Sequence, residues 1–159
     1  MFKRYRFLLF IFLFLVAVPP GVMATESEQE EHGEIFHQHR LELFVGNSRE
    51  DHKDGVSAGL AYEYRLNQII GIGGLVEYAG GDFEEWIGAI PIFVHPYQGL
   101  RFLLAPGVVF EEHETIFLFR TGLAYEFEIE RLSITPEFNI DFVDGEEVLV
   151  YGVSFGYGF

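Results

Sequence analysis

The last twelve residues, VLVYGVSFGYGF (Val148–Phe159), alternate between two kinds of side chain. Leu149, Tyr151, Val153, Phe155, Tyr157 and Phe159 fall on one side; Gly152, Ser154, Gly156 and Gly158 fall on the other. A period of two marks an extended strand, because successive side chains point to opposite faces of a sheet. One face here is aliphatic and aromatic, and the other is almost bare. A water-facing strand surface carries Lys and Thr, since solubility needs charge and strand propensity needs bulk. Small residues suit instead the cramped interior of a narrow barrel. The bulky face must then meet something apolar on the outside.

The same pattern recurs upstream. Working back, alternating segments cover Arg131–Val143, Thr115–Glu128, Leu100–Phe110, Glu85–His95, Ile69–Ala79, Val56–Leu66 and His39–Gly46. Val56, Ala58, Leu60, Tyr62 and Tyr64 oppose Ser57, Gly59, Ala61 and Glu63; Phe117, Phe119, Leu123, Tyr125 and Phe127 oppose Leu118, Arg120, Gly122, Ala124, Glu126 and Glu128. Eight segments of about eleven residues match the 9–11 residues with which a tilted strand crosses a bilayer. The number is even, as single-chain bacterial barrels require. Alternation in Glu85–His95 is blurred, and Pro91, Pro106 and Pro136 stand mid-segment, where each removes a ladder bond. Paired bulges at Pro91 and Pro106 would accommodate two of them. The expected fold class is all-β, an eight-stranded antiparallel up-and-down transmembrane barrel over residues 39–159.

A soluble eight-stranded barrel would put the bulky face inside. Composition argues against it. The chain has 18 Phe, and Lys53 is the only lysine after residue 24. If the first strand rises from the periplasm, Tyr62, Tyr64, Tyr97, Tyr125, Phe127, Tyr157 and Phe159 gather at the lower rim. Tyr78, Trp86, Phe110 and Phe142 gather at the upper rim. Two aromatic girdles are what a membrane-spanning barrel carries at its interfaces.

The N-terminus supplies an export signal. Lys3, Arg4 and Arg6 precede the twelve apolar residues FLLFIFLFLVAV (Phe7–Val18), then Pro19-Pro20-Gly21 and the small residues before Thr25. A twelve-residue helix covers about 18 Å, short of the ~30 Å hydrocarbon core, so residues 1–24 read as a cleaved signal peptide and not an anchor. Residues 25–38 read as a polar, disordered periplasmic leader. The remaining 135 residues carry a net charge of −18. That balance disfavours nucleic acid. The absence of cysteine excludes a disulfide framework, a thiol nucleophile and a lipidated N-terminal Cys.

The C-terminal strand, ending on Phe159 with Tyr157, Phe155 and Tyr151 behind it, resembles the assembly signal of bacterial outer-membrane β-barrels. The whole exported chain is similar to their small eight-stranded members: the OmpA transmembrane domain, OmpX and the opacity proteins. The resemblance implies a Gram-negative outer membrane. Its partners would be outer-membrane lipid, lipopolysaccharide and the barrel-assembly machinery, and a monomer is expected. No catalytic residue comes with it.

Two sets of charges stand out. The inward face holds Glu63, Glu77, Arg101, Arg120, Glu126, Glu137, Asn139 and Asp141. Charges in a narrow lumen must pair or meet water. Arg120 stands near the level of Asp141, Glu77 and Glu137, and Arg101 near Glu63 and Glu126. They form either a salt-bridged plug or a thin polar path, and the width of an eight-stranded interior favours the plug. The second set lies on alternate connections, Asn47–Gly55, Gly80–Glu85, Glu111–Glu114 and Asp144–Glu147. It comprises Glu50, Asp51, Asp54, Asp82, Glu84, Glu85, Glu111, Glu112, Glu114, Asp144, Glu146 and Glu147, against Arg49 and Lys53. This acidic rim is expected outside the cell, where it can loosely hold Ca²⁺ or Mg²⁺ or bridge to lipopolysaccharide phosphates. No tightly bound cofactor is expected. His32, His37 and His39 form a weak candidate for a transition metal.

The expected function is a small envelope barrel, structural or interaction-bearing, with a salt-bridged lumen. A narrow channel for cations or small solutes is the alternative. A lipid-modifying enzyme is a third class, but no nucleophile–base pattern supports it. Ser154 is far from any His in sequence, and Ser48 lies near His52 among Glu50 and Asp51.

Overall fold

A computed structural model describes residues 37–111 and 114–159. The expected signal peptide, most of the acidic leader, His32 and Glu112 lie outside the described residues. Among the described residues ten strands run in chain order: β1 His39–Glu50, β2 Lys53–Arg65, β3 Ile70–Ala79, β4 Glu85–Ala89, β5 Ile92–Tyr97, β6 Leu100–Phe110, β7 Thr115–Tyr125, β8 Phe127–Ile129, β9 Leu132–Val143 and β10 Glu146–Gly158. β4 and β5 are two halves of one stave, since both pair with β3 on one side and β6 on the other. β7 and β8 share β9 in the same way. Eight antiparallel staves result, and β10 pairs back onto β1, closing the sheet on itself.

The register fixes the shape. Stepping across paired residues from Arg49 passes Leu149, Ile140, Thr121, Leu104, Ile92, Ile72 and Tyr64, and returns to β1 at His39. The circuit slips ten residues along β1. With a rise of ~3.3 Å per residue and strands ~4.8 Å apart, eight staves of that stagger tilt about 40° and enclose a backbone radius of about 8 Å. Such a tube has room for side chains and little else.

Burial is inverted relative to a soluble protein. Val56, Leu43 and Phe117 are 67%, 49% and 65% exposed, while Arg40, Glu63 and Arg120 are 1%, 1% and 2% exposed. Exposed aliphatics on every stave and buried charges within are stable only where hydrocarbon is the outer solvent. The aromatics cluster at both ends of the belt. Tyr78 meets Trp86 at 5.0 Å at one end; Tyr125 meets Phe127 at 4.9 Å and Tyr157 meets Phe159 at 6.3 Å at the other.

The prolines account for both broken staves. Ile90 donates to the Pro106 carbonyl and Gly73 to the Pro91 carbonyl, each at 2.9 Å. Neither proline has an N–H to return the bond, so the ladder lapses between β4 and β5. Pro136 of β9 lies one step past the Ala124↔Glu137 pair, opposite the gap between β7 and β8. There Glu126 turns its N–H to the Gly99 carbonyl at 2.6 Å.

One expected loop is strand. Asn47–Gly55 was expected to connect strands, yet pairing continues to Glu50↔Lys53, leaving a two-residue turn at Asp51 and His52. Part of the polar run turns inward: Ser48 and Ser57 share a 2.5 Å hydrogen bond in the lumen, while Asn47 donates to Asp54 on the exposed side. The hairpin at Asp144-Gly145, with φ of 48° and 90°, is the tight turn that Asp-Gly favours.

Candidate functional site

Two ionic groups occupy the lumen, and alternation along each strand places them. Arg120 on β7 lies beside Asp141 on β9 in direct register, with Glu77 of β3 reaching across from the other wall. Its guanidinium is bidentate to both acids: Nε and Nη2 donate to Asp141 at 2.6 and 2.7 Å, and Nη1 and Nη2 to Glu77 at 2.6 and 3.2 Å. Such forked, charge-assisted bonds are the strongest polar contacts available to a side chain.

The second group is larger. Arg101 donates to Glu42 at 2.6 Å, stands 3.6 Å from Glu137 and lies over the Phe93 ring. Ser154 donates to Glu137 at 2.6 Å. Arg40 contacts Glu126 and Glu128, Arg65 reaches Glu126 at 3.2 Å, and His95 bonds Glu63 at 2.7 Å. The pairing of Arg101 therefore differs from the expectation of Glu63 and Glu126. Glu137 likewise belongs with Arg101 and not with Arg120. The cause is the ten-residue stagger, which shifts levels between opposite walls. Arg40, Glu42, Arg65 and His95 are absent from the expected lumen charges, and Glu128, which ends the inward side of the sixth alternation, joins them. Arg40 and Glu42 carry the usual signal, since they alternate with Leu41 and Leu43. Arg65 and His95 sit at strand ends and read as turn residues. Asn139 is inward and buried opposite Gly122, whose position a Cβ would bring within 1.8 Å of the Asn139 Oδ1.

Apolar clusters interrupt these polar groups. Ala61, Leu75, Ala89, Phe93, Leu103 and Ala105 pack between the two ionic groups. Ile87, Val109 and Leu118 pack toward the acidic end, and Phe44, Val148 and Val150 form a further cluster with Phe83 of the 80–84 loop.

The acidic end carries Glu50, Asp51, Asp54, Asp82, Glu84, Glu85, Glu111, Glu114, Asp144, Glu146 and Glu147 on or beside its turns. These groups stand beyond Tyr78 and Trp86 and outside the apolar belt. Lys53 bonds Glu50 at 3.0 Å. A hydrogen bond shared with Glu50 raises the Glu146 carboxyl, while that bond and Lys53 lower Glu50. Burial, then the charge of Glu111, pushes Glu85 up to about 7. Among the described residues, no group of three or more His, Cys, Asp or Glu side chains is placed to hold a metal ion.

His37 and His39 part company at a bend on Gln38. His37 is buried against Gly158, and His39 faces outward, bonded to the Tyr62 hydroxyl at 2.7 Å and stacked on Phe159. Two residues apart on a straight strand would share a face; the bend separates them.

No family model matches the chain, and no curated protein matches it in sequence. Solved structures do. The crystal structure of Ail, the attachment invasion locus protein of Yersinia pestis, aligns with a TM-score of 0.56 at 14% identity, over 78% of this chain and all of Ail. Ail in a phospholipid bilayer nanodisc aligns at 0.55 and 15% identity, over 78% and 100% of the two chains. The N-terminal β-barrel domain of Pseudomonas aeruginosa OprF aligns at 0.53 and 15% identity, with the same coverage. The fold is that of the small outer-membrane β-barrels. At such identities the likeness concerns architecture, so the barrel's ionic groups and acidic mouth rest on its own residues alone.

Proposed function

We propose that this chain is a small β-barrel of the Gram-negative outer membrane, with a structural or interaction-bearing role and a lumen closed by its own side chains. Residues 1–24 export it, and Tyr151, Phe155, Tyr157 and Phe159 present it to the barrel-assembly machinery. Lipid surrounds the apolar belt, and lipopolysaccharide surrounds the acidic end. The barrel works as a monomer. The observation that carries this reading is the inversion of burial: aliphatic and aromatic side chains outside, between two girdles, and Arg40, Arg101 and Arg120 inside.

The lumen supports a plug over a conduit. Each ionic group is cross-braced, and apolar clusters lie between and beyond them. An ion passing through would have to break bidentate bonds and cross side chains that offer it no oxygen. Ser48 is bonded to Ser57 and Ser154 to Glu137, which supports a structural role for both hydroxyls.

Planar-bilayer recording tests it. The expected result is no resolvable conductance steps across a range of salt concentrations. Regular unitary steps that select for cations would establish the channel instead.

A further inference from the structure

The acidic mouth is covered. The loop at 80–84 leaves β3, folds inward and returns to β4, and Phe83 packs against Phe44, Val148 and Val150 within the tube. Backbone bonds fasten the loop to the β1–β2 hairpin. Gly80 donates to Val56 at 2.9 Å, Asp82 to Asp54 at 3.3 Å, and the Asp54 N–H to the Asp82 carboxylate at 3.1 Å. The hairpin is shaped to receive it. A Cβ on Gly55 would stand 2.0 Å from the Gly80 carbonyl oxygen and 2.9 Å from the Phe83 ring. Lys53 lies 5.9 Å from the centre of that ring, tethered to Glu50. Two left-handed residues bracket the segment that bears the ring: Gly81 with φ of 70° and Glu84 with φ of 52°. A non-glycine residue rarely holds that conformation without a local reason.

We propose that residues 80–84 are a lid, with Phe83 as the element that closes the acidic mouth and Gly81 and Glu84 as its pivots. When the lid swings out, Phe44, Val148 and Val150 meet water, and the Ser48–Ser57 pair beneath becomes reachable. The fastening consists of a few backbone bonds and one half-buried ring, the kind of local structure that opens at small free-energy cost. The staves around the lid are held by paired ladders and stay shut. This inference depends on the barrel and not on its cellular address.

The chain has no cysteine, so a single introduced thiol reports access. Ser57→Cys places one beneath the lid at a fully buried position, and His52→Cys serves as the exposed control. The refolded barrel is treated with a small water-soluble thiol reagent, and folding is checked by heat-dependent gel mobility. Ser57→Cys should react at least about tenfold more slowly than His52→Cys. Adding Phe83→Gly should recover about tenfold, the factor that losing roughly half of a phenyl's burial implies. Gly55→Ala, which keeps the Phe83 side chain but drives a Cβ against the Gly80 carbonyl and the edge of the ring, should also speed the reaction and decides the matter if Phe83→Gly fails to fold. Equal rates at residues 57 and 52 in the otherwise native chain would overturn the lid. So would a slow Ser57→Cys that neither second substitution accelerates.

Discussion

Replacing Arg120 by Met tests whether the lumen charges act as one unit. Methionine keeps the apolar stem of the side chain and ends at the level of Nε, so a small cavity adds to the electrostatic loss. What is lost is the cation between Glu77 and Asp141, each held within 2.6–3.2 Å of one guanidinium. Two carboxylates gripping the same group lie ~5 Å apart. Left unscreened at an effective dielectric of ~20, they repel by about 3 kcal/mol. Stranding buried charges costs about 3–5 kcal/mol in general, so Arg120→Met is expected to destabilise by that amount. Asp141→Asn should cost far less, about 1 kcal/mol, because it leaves a one-to-one Arg120–Glu77 pair and removes the excess negative charge. The double variant should be more stable than the sum of the single losses predicts, by about 1–3 kcal/mol. Trp86, the only tryptophan, lies on the lipid-facing surface and reports unfolding by fluorescence in a urea titration from vesicles. Equal losses from the two single variants, or additivity within about 0.5 kcal/mol, would show that each carboxylate finds water of its own.

Three further outcomes are expected. Phe159→Ala removes the ring stacked on His39 and Tyr157 at the closing seam, and should lower the yield of folded, heat-modifiable barrel in membranes; unchanged yield would detach assembly from this residue. Glu85 has a raised carboxyl pKa in the fold, so its contribution to stability is fully present below about 4.5 and is lost as pH rises through about 7. Thermal stability should therefore fall between pH 5 and 8, and Glu85→Gln should flatten that fall; an identical slope in the variant would remove Glu85 from the account. Millimolar Ca²⁺ or Mg²⁺ should raise the melting temperature more than NaCl of equal ionic strength, because one divalent ion relieves several rim carboxylates at once. The excess should shrink on neutralising Asp82, Glu84 and Glu85, and parity between the salts would reduce the rim to a solvated surface.

The outward face was legible because lipid imposes one requirement on every stave. Leu41, Leu60, Ile72, Leu104, Phe117, Phe138 and Tyr157 each alternate with a small or charged partner, and that alternation survives any uncertainty in register. The inward face was legible in kind but not in pairing. Arg101 meets Glu42 because of the stagger around the whole circuit, and stagger is a property of the closed ring that no single strand encodes. The strand Asn47–Glu50 was hidden by its polarity: Asn47 and Ser48 look like loop residues until pairing with β2 brings Asp54 and Ser57 within hydrogen-bond reach. The breaks at Pro91 and Glu126 were half visible. A proline announces a missing donor, but whether the strand bulges or parts depends on what the neighbouring strand offers, here Pro106 in one case and Pro136 close by in the other. Phe83 gave no signal at all. Its role follows from where the 80–84 loop folds, and a lone aromatic in an acidic connection has no period to betray it.

The seam between β1 and β10 has a kinetic meaning. Every other junction joins staves that are neighbours in sequence, and can form as a hairpin soon after its residues are available. The seam joins His39 to Phe159 across the whole described chain, with the amide of each bonded to the carbonyl of the other. Bringing ends more than 100 residues apart together costs about 4 kcal/mol of chain entropy, against well under 1 kcal/mol for a two-residue turn. Contacts of such high order form late. Until they do, the molecule is a curved ribbon with two raw edges, and each edge is a template for another chain. A nascent barrel of this sequence is therefore most at risk of aggregation between the making of its last hairpin and the closing of its ring.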